Sequence, residues 1–188
     1  MNHPETQAPR LGTRVAFVSL TLRAARGILR AMPTQLRIRP DWDTYFMDIA
    51  HTVARRSNCC RRQVAALIVS ERRIISTGYN GTPRGVKNCM DGGCPRCAGD
   101  AASGADLGEC LCSHAEENAI VQAAYHGIAV RDGMLYATIS PCLLCAKMII
   151  NAGLVEVVYE DEYHFSTQTR ALLRSAGVKC RRFRRKKS

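Results

Sequence analysis

The chain has 188 residues, of which 46% are hydrophobic, and its 27 Lys and Arg outnumber its 16 Asp and Glu to give a net charge of +11. This length suits one domain with an extension and excludes a second catalytic domain. No apolar run approaches the roughly 20 residues that span a bilayer, so we expect a cytoplasmic protein without a membrane span. The positive charge favours anionic partners such as nucleotides.

The basic residues are concentrated at the two ends. Residues 1–40 are rich in arginine, and residues 184–188 read RRKKS. We interpret the first segment as a basic N-terminal extension, with an organelle-targeting peptide, a solvated leader and a helix packed on the domain as alternatives. The last segment is interpreted as a basic tail, so residues 41–183 form the main domain.

Hydrophobic periodicity predicts helices and strands in the first half of that domain. In DWDTYFMDIAHTVARRS the apolar residues recur at helical spacing after Asp41, a residue type that caps helices. The stretches VAALIVS and RIISTGY then predict two strands joined by a turn at Glu71 and Arg72.

The second half alternates in the same way. Helices are expected over about 114–126, 142–152 and 165–176, and strands over GMLYATI, LVEVVYE and VKCRRF. The alternation of helices with short apolar strands predicts an α/β sandwich around one sheet.

The stretch from Lys87 to Cys112 is rich in glycine and cysteine and has no period of either kind. Two cysteine pairs, Cys94-Cys97 within it and Cys142-Cys145 after it, have the spacing of metal clips. We therefore predict an insertion held by metal in a reducing compartment. A disulfide framework is the alternative.

Two motifs together indicate a catalytic zinc site. One is His114 with Glu116 two residues later, and the other is Cys142 with Cys145 after a proline. One imidazole and two thiolates leave the fourth zinc position for water, and a nearby carboxylate can move that water's proton. Each motif alone is typical of a structural clip or a surface pair, whereas the combination is the signature of zinc deaminases.

The sequence from about 41 to 183 resembles the deoxycytidylate (dCMP) deaminase family of the zinc-dependent cytidine deaminase superfamily. The matching segments are WDTYFMDIAHTVARRSNCCRRQVAALIVSERRIISTGYNGTPRG, NCMDGGCPRC, CLCSHAEENAI, SPCLLCAKMIINAGLVEVVY and EYHFSTQTRALLRSAGVKCRRF. The Cys-rich insertion is typical of a branch known from fungi and related to bacterial ComE-type proteins. The resemblance implies a three-layer α/β/α sandwich with a five-stranded mixed sheet, and hydrolysis of dCMP to dUMP and ammonia, which feeds thymidylate synthesis.

The resemblance also implies roles for individual residues. The zinc ligands would be His114, Cys142 and Cys145, and the proton shuttle would be Glu116. Asn80 would lie near the sugar, the backbone at Ala115 would read the pyrimidine edge, and Tyr163 would close over the nucleotide. Asn80-Gly81 is also simply a good tight turn.

A 5′-phosphate calls for cations, and arginine fits its bidentate geometry. Arg61, Arg62 and Arg84 lie beside the motif loops. We expect the phosphate ligand among them and favour Arg84, because its loop follows Asn80 directly.

Some members of the resembled family carry a second, structural zinc, with ligands that correspond to Cys59 and Cys89. Four thiolates close such a site, and the candidates are Cys59, Cys89, Cys94, Cys97, Cys110 and Cys112. We expect two zinc ions per chain. The exact ligands, and a third zinc, stay open.

Many members of the resembled family are hexamers activated by dCTP with Mg²⁺ and inhibited by dTTP, which implies a homo-oligomer with these effectors. Three alternatives stand beside dCMP: dCTP as substrate, a nucleic-acid deaminase whose basic ends bind a polynucleotide, and a zinc-stabilised binding module without activity. The loop GYNGTPRG and the ending AGVKCRRF favour a free nucleotide, so nucleic acid is not the expected partner.

Overall fold

The computed structural model describes residues 39–102, 105–162 and 167–185. Its helices are Trp42–Ala54 (α1), Pro95–Ala98 (α2), Ala115–Tyr125 (α3), Leu143–Asn151 (α4) and Thr167–Ser175 (α5). Its strands are Ala65–Ser70 (β1), Arg73–Tyr79 (β2), Met134–Ile139 (β3), Glu156–Asp161 (β4) and Lys179–Arg182 (β5). No helix among these residues is long and apolar enough to cross a membrane.

The five strands form one mixed sheet in the order β2-β1-β3-β4-β5. Strand β1 is antiparallel to both β2 and β3, whereas β3, β4 and β5 are parallel. The parallel strands are connected through α4 and α5, as parallel pairs require a crossover. This confirms the mixed five-stranded sheet that the resemblance implied.

Apolar side chains on both faces of the sheet build the three layers. Ala66 and Ile68 of β1 pack with α3, α4 and α5 on one face. Leu67 and Val69, which alternate with them, pack with α1 on the other face. Because a strand buried on both faces is apolar at every position, VAALIVS shows no alternation in the sequence.

The predicted elements lie within a few residues of the observed ones. Asp41 caps α1, since its side chain accepts a hydrogen bond from the Thr44 N–H at 2.8 Å. Glu71 and Arg72 form the predicted turn with φ values of 48° and 61°. The insertion also contains α2 and two 3-10 turns, Cys89–Asp91 and Leu107–Glu109, which are too short to leave a periodic pattern.

The basic C-terminal end is held against acidic side chains of the domain. Arg181 of β5 binds both carboxylate oxygens of Asp43 in α1, at 2.6 and 2.9 Å, and Glu156 of β4 at 2.6 Å. The Arg181 guanidinium holds the pKa of Asp43 below its ordinary value. Arg185, in the segment predicted to be a tail, pairs with Asp48 at 2.6 Å. The positive charge of this end is thus partly neutralised within the chain.

The N-terminal extension up to residue 38 and the last three residues lie outside the described residues. The alternatives for the extension therefore remain predictions.

Gly78 of β2 lies directly under α3. A Cβ atom at this position would overlap the Ala115 carbonyl oxygen and the Ala119 amide nitrogen, which are backbone atoms of the helix. Backbone atoms cannot turn aside as a flexible side chain does. Only glycine at position 78 therefore lets the first turns of α3 approach the sheet this closely.

We predict that Gly78→Ala lowers the free energy of unfolding by about 1–3 kcal/mol, because the added methyl group overpacks the contact with α3. Denaturant unfolding measures this change. The matched control is Gly108→Ala, where a Cβ atom would meet nothing within 4 Å and φ is not positive. Equal stability of the two variants would contradict the close contact.

Candidate active site

The first turn of α3 carries the imidazole and the carboxylate of the first motif. His114 is the N-cap of the helix, and its backbone N–H donates to Glu117 at 3.1 Å. A short antiparallel bridge between Gly81 and Ser113 holds the preceding residue beside the end of β2. The capping bond and the bridge together fix where α3 begins.

The first turn of α4 carries the two thiols of the second motif. Cys142 is the N-cap, and its sulfur accepts a hydrogen bond from the Cys145 N–H at 3.5 Å. The segment from Ser140 to Cys142 leads from β3 directly into this helix. Cys142 is therefore placed by the end of a buried strand.

These two helix starts bring three metal donors together. The Nδ1 atom of His114 lies 3.4 Å from Cys142 Sγ and 3.4 Å from Cys145 Sγ. A tetrahedral zinc with ligand distances of about 2.0 Å to nitrogen and 2.3 Å to sulfur separates such atoms by about 3.5 Å. The donors fit zinc, and three of them leave the fourth position open for water.

The carboxyl group of Glu116 is buried beside these donors, with only 4% of the residue exposed. Burial raises its pKa to about 7, although its own backbone N–H and the charge of His114 act in the opposite direction. A carboxyl group with a pKa near neutrality can both accept and return a proton.

The donors also interact with one another. Hydrogen bonds from Cys145 and His114 hold the pKa of the Cys142 thiol far below its ordinary value, and the bond to Cys142 raises the pKa of His114 to about 9. Zinc binds the thiolate form of cysteine, so a thiol with a low pKa is suited to hold it.

The site opens into a cavity of about 380 Å³, a size that suits a small organic ligand. His114, Ala115, Glu116 and Cys142 line it. It is also lined by Cys59, Arg61, Arg62, Val64, Asn80, Arg96, Cys97, Cys110, Cys112, Ser113, Ile139 and Ser140. The cavity thus joins the two motifs, the loop after β2 and the Cys-rich insertion.

Asn80 lines the cavity, but most of its side chain is used within the chain. Its Oδ1 accepts from Ser57 Oγ at 2.7 Å and from the Val64 N–H at 2.8 Å, and its Nδ2 donates to the Arg62 carbonyl at 2.8 Å. These are three of the four hydrogen bonds that an asparagine side chain can make. Asn80 is therefore first a structural clamp, with one N–H left for a ligand.

The other two predicted substrate residues differ in what the structure describes. Ala115 is fully buried, and as the first residue of α3 its N–H has no acceptor within the helix. Tyr163 lies outside the described residues.

The structure places the arginines differently from the sequence-based preference. Arg61 and Arg62 line the cavity, but Arg84 does not. The Arg84 guanidinium lies 4.8 Å from the centre of the Tyr125 ring, at the far end of α3. The loop that carries Arg84 follows Asn80 in sequence, but the Arg84 side chain packs on Tyr125 and is not among the residues that line the cavity.

Arg96 also lines the cavity, and sequence reasoning missed it. Its position between Cys94 and Cys97 was the available signal. A residue between two closely spaced metal-ligand candidates is held near the site that those cysteines form. The guanidinium of Arg96 donates to the Ala105 carbonyl at 2.6 Å. Arg61 likewise donates to the Cys97 and Ala101 carbonyls, at 2.9 and 2.7 Å.

All six cysteines predicted as structural ligands come together at one side of the cavity, and four of them line it. They form two overlapping groups of four, Cys59-Cys89-Cys97-Cys112 and Cys94-Cys97-Cys110-Cys112, and within each group all sulfurs lie within 4.8 Å of one another. Cys60, which follows Cys59 in sequence, is exposed and belongs to neither group.

Comparison with known proteins points to the same chemistry. A family model described as "Cytidine and deoxycytidylate deaminase zinc-binding region" matches residues 40–161. The deoxycytidylate deaminases of Schizosaccharomyces pombe and Saccharomyces cerevisiae are each 46% identical to the chain over 147 residues, which is 78% of this chain. The match covers 45% and 46% of those two proteins, so the chain spans about half the length of these relatives.

A solved structure of a dCMP deaminase from the cyanophage S-TIM5, in complex with dCMP and dUMP, is similar along its whole length. The match has a TM-score of 0.63 and 31% identity, and it covers 78% of this chain and 99% of the phage chain. The zinc-binding family region and the His-Cys-Cys donors together support zinc as the metal of this chain. With the family model matched through both motifs, the chain belongs to the cytidine and deoxycytidylate deaminase family.

Proposed function

We propose that this chain catalyses the zinc-dependent hydrolysis of dCMP to dUMP and ammonia. The observation that carries the proposal is the meeting of His114, Cys142, Cys145 and the buried Glu116 in one cavity. The fungal relatives named deoxycytidylate deaminase and the phage enzyme solved with dCMP and dUMP support this substrate.

His114 Nδ1 and the sulfurs of Cys142 and Cys145 would hold the zinc. When bound there, zinc supplies a Lewis acid that lowers the pKa of a water towards about 7. Glu116 would take one proton from a water molecule while the oxygen of that water bonds to C4 of cytosine, and would pass this proton to N3. Glu116 would then take the remaining proton from the new C4 hydroxyl and pass it to the amine, so that a C4 carbonyl forms, the C4–N4 bond breaks and ammonia leaves.

Two groups of the chain would orient the base and the sugar. The remaining N–H of Asn80 is held in place by the three hydrogen bonds that clamp its side chain. The N–H of Ala115, at the positive end of α3, would donate to the pyrimidine edge. Both donors belong to rigid backbone or clamped side chains, so little freedom is lost when they bind.

We assign the 5′-phosphate to the arginine side of the cavity. Arg61, Arg62 and Arg96 line it, and Arg61 and Arg96 are anchored on backbone carbonyls of the insertion. Arg62 is the residue we select for direct contact, because its backbone carbonyl is bound to Asn80 and its position is therefore tied to the proposed sugar site.

We predict that Glu116→Gln lowers turnover of dCMP by at least about 100-fold while zinc stays bound, because the amide keeps the shape but cannot carry the proton. Absorbance measures deamination, and elemental analysis measures zinc. The matched control is Glu71→Gln in the exposed β1–β2 turn, which should leave turnover unchanged. Near-normal turnover in Glu116→Gln would contradict the assigned role.

We predict that Arg62→Met reduces kcat/KM for dCMP by about 10-fold or more, since a hydrogen bond to a charged group contributes about 1.5–3 kcal/mol. The same variant should deaminate deoxycytidine, which lacks the phosphate, as slowly as the parent chain does. Arg84→Met is the matched control and should behave as the parent chain. A reduced kcat/KM in Arg84→Met alone would contradict this assignment and would indicate that the loop after Asn80 binds the phosphate.

We also propose that the active form is a homo-oligomer, in which dCTP with Mg²⁺ activates and dTTP inhibits. Val121 and Tyr125 of α3 and Leu144 of α4 are exposed apolar residues that a second copy could cover. The loop after β2 reaches from the cavity at Asn80 to Tyr125 through Arg84. It is therefore placed to couple such a contact to the substrate site.

We predict a sigmoidal dependence of rate on dCMP concentration that becomes hyperbolic with dCTP and Mg²⁺ and steeper with dTTP. Steady-state rates across dCMP concentrations test this. A hyperbolic curve that neither triphosphate changes would refute the regulatory proposal and leave the catalytic one intact.

A further inference from the structure

The six cysteines of the insertion and of the segment before β1 are arranged as two sites that share two ligands. Cys97 and Cys112 belong to both groups of four. Cys59 and Cys89 complete one group, and Cys94 and Cys110 complete the other. The sulfur separations in the second group include 3.9 Å for Cys94–Cys110 and 3.6 Å for Cys97–Cys110.

The sulfur separations in each group are compatible with one tetrahedral ion. Four thiolates at about 2.3 Å from a zinc ion lie about 3.8 Å from one another, and the sulfurs of each group all lie within 4.8 Å. An iron–sulfur cluster needs its cysteines further apart, because several irons and sulfides lie between them. The spacing therefore favours one zinc in each group.

Backbone N–H groups donate to three of the four cysteines that belong to only one group. Cys59 accepts hydrogen bonds from the N–H groups of Arg61 and Arg62, and Cys89 accepts one from Cys60. In the other group the Leu111 N–H donates to Cys94 at 3.4 Å. Such donors stabilise a thiolate more than a neutral thiol, because a hydrogen bond to a charged acceptor is the stronger one. Both groups are therefore prepared for thiolate ligands.

The shared cysteines, Cys97 and Cys112, are buried in one cluster with the other four. Their sulfurs lie within 4.8 Å of the sulfurs of both groups. A thiolate in this position can bridge two cations, so that two zinc ions are each bound by four sulfurs from only six cysteines, as in the Zn₂Cys₆ arrangement.

We propose that Cys59, Cys89, Cys94, Cys97, Cys110 and Cys112 bind a binuclear zinc–thiolate centre in which Cys97 and Cys112 bridge the two ions. The chain then holds three zinc ions, two in this centre and one at His114. Six thiolates and two Zn²⁺ leave a net charge of about −2. Arg61, whose guanidinium bonds to the Cys97 carbonyl, places a cation beside it.

The centre would order a segment that has little apolar surface of its own. The buried residues of this region form a cluster made of cysteines alone, so metal binding supplies the folding free energy that packing supplies elsewhere. Four of the six cysteines also line the cavity. The proposal rests on sulfur geometry and not on the proposed activity.

Native mass spectrometry of the full chain purified with zinc tests the count. We expect three zinc ions in the parent chain, two in Cys59→Ala, two in Cys94→Ala and one in Cys97→Ala, because Cys59 and Cys94 each bind one ion of the centre whereas Cys97 is shared by both. The matched controls Cys60→Ala and Cys180→Ala should keep three. Cys60 lies 3.7 Å from the Cys89 sulfur without belonging to either group, so it is the stricter control.

A single structural zinc would give a different pattern. Two zinc ions in the parent chain, with loss in only one of Cys59→Ala and Cys94→Ala, would overturn the proposal, and so would bound iron with its visible absorbance. If Cys97→Ala does not fold, X-ray absorption at the zinc edge of the parent chain tests whether two zinc ions are bridged. A zinc–zinc scattering path supports the bridged centre, and its absence refutes it.

Discussion

The close contact between Gly78 and the first turns of α3 determines where the imidazole and the carboxylate stand relative to the sheet. His114 caps α3 and Glu116 lies in its first turn, so any displacement of the helix would move both groups together. Cys142 and Cys145 are placed independently, by the end of β3. Metal ligands tolerate errors of only about 0.2 Å in distance. The contact at Gly78 of β2 therefore affects the distances between metal donors that lie at the starts of α3 and α4.

The same cavity imposes opposite electrostatic conditions on two acids. Burial raises the pKa of Glu116 to about 7, whereas hydrogen bonds from Cys145 and His114 lower the pKa of Cys142. The thiol is thus prepared to hold a cation, while the carboxyl group is prepared to exchange a proton. When the environment shifts the pKa values of two acids in opposite directions, the two acids are suited to different roles. Here the roles are metal binding and proton transfer.

The sequence was sufficient to predict the elements that have strong hydrophobic periodicity and to identify the motifs that have fixed spacing. The capped helix after Asp41 and the turn at Glu71 both lie where they were predicted. Long side chains were less predictable, because the direction of an arginine depends on contacts distant in sequence. Arg84 packs on Tyr125, and Arg96 reaches the cavity from the insertion. The family resemblance implied that Asn80 lies near the sugar, but the hydrogen bonds of its side chain to three separate groups appear only after folding.

The pairing of the cysteines was also not predictable from their spacing, for the same physical reason. Spacing identifies candidate ligands, but it cannot pair Cys59 with Cys89, because these residues meet only when the end of α1 and the insertion pack together. Cys112 precedes His114 by two residues, so the insertion and the open His-Cys-Cys site share one short piece of backbone. An open site needs rigid surroundings, since three ligands do not enclose the metal. The proposed zinc–thiolate centre would supply that rigidity without apolar side chains, beside the part of the cavity that Arg61, Arg62 and Arg96 line.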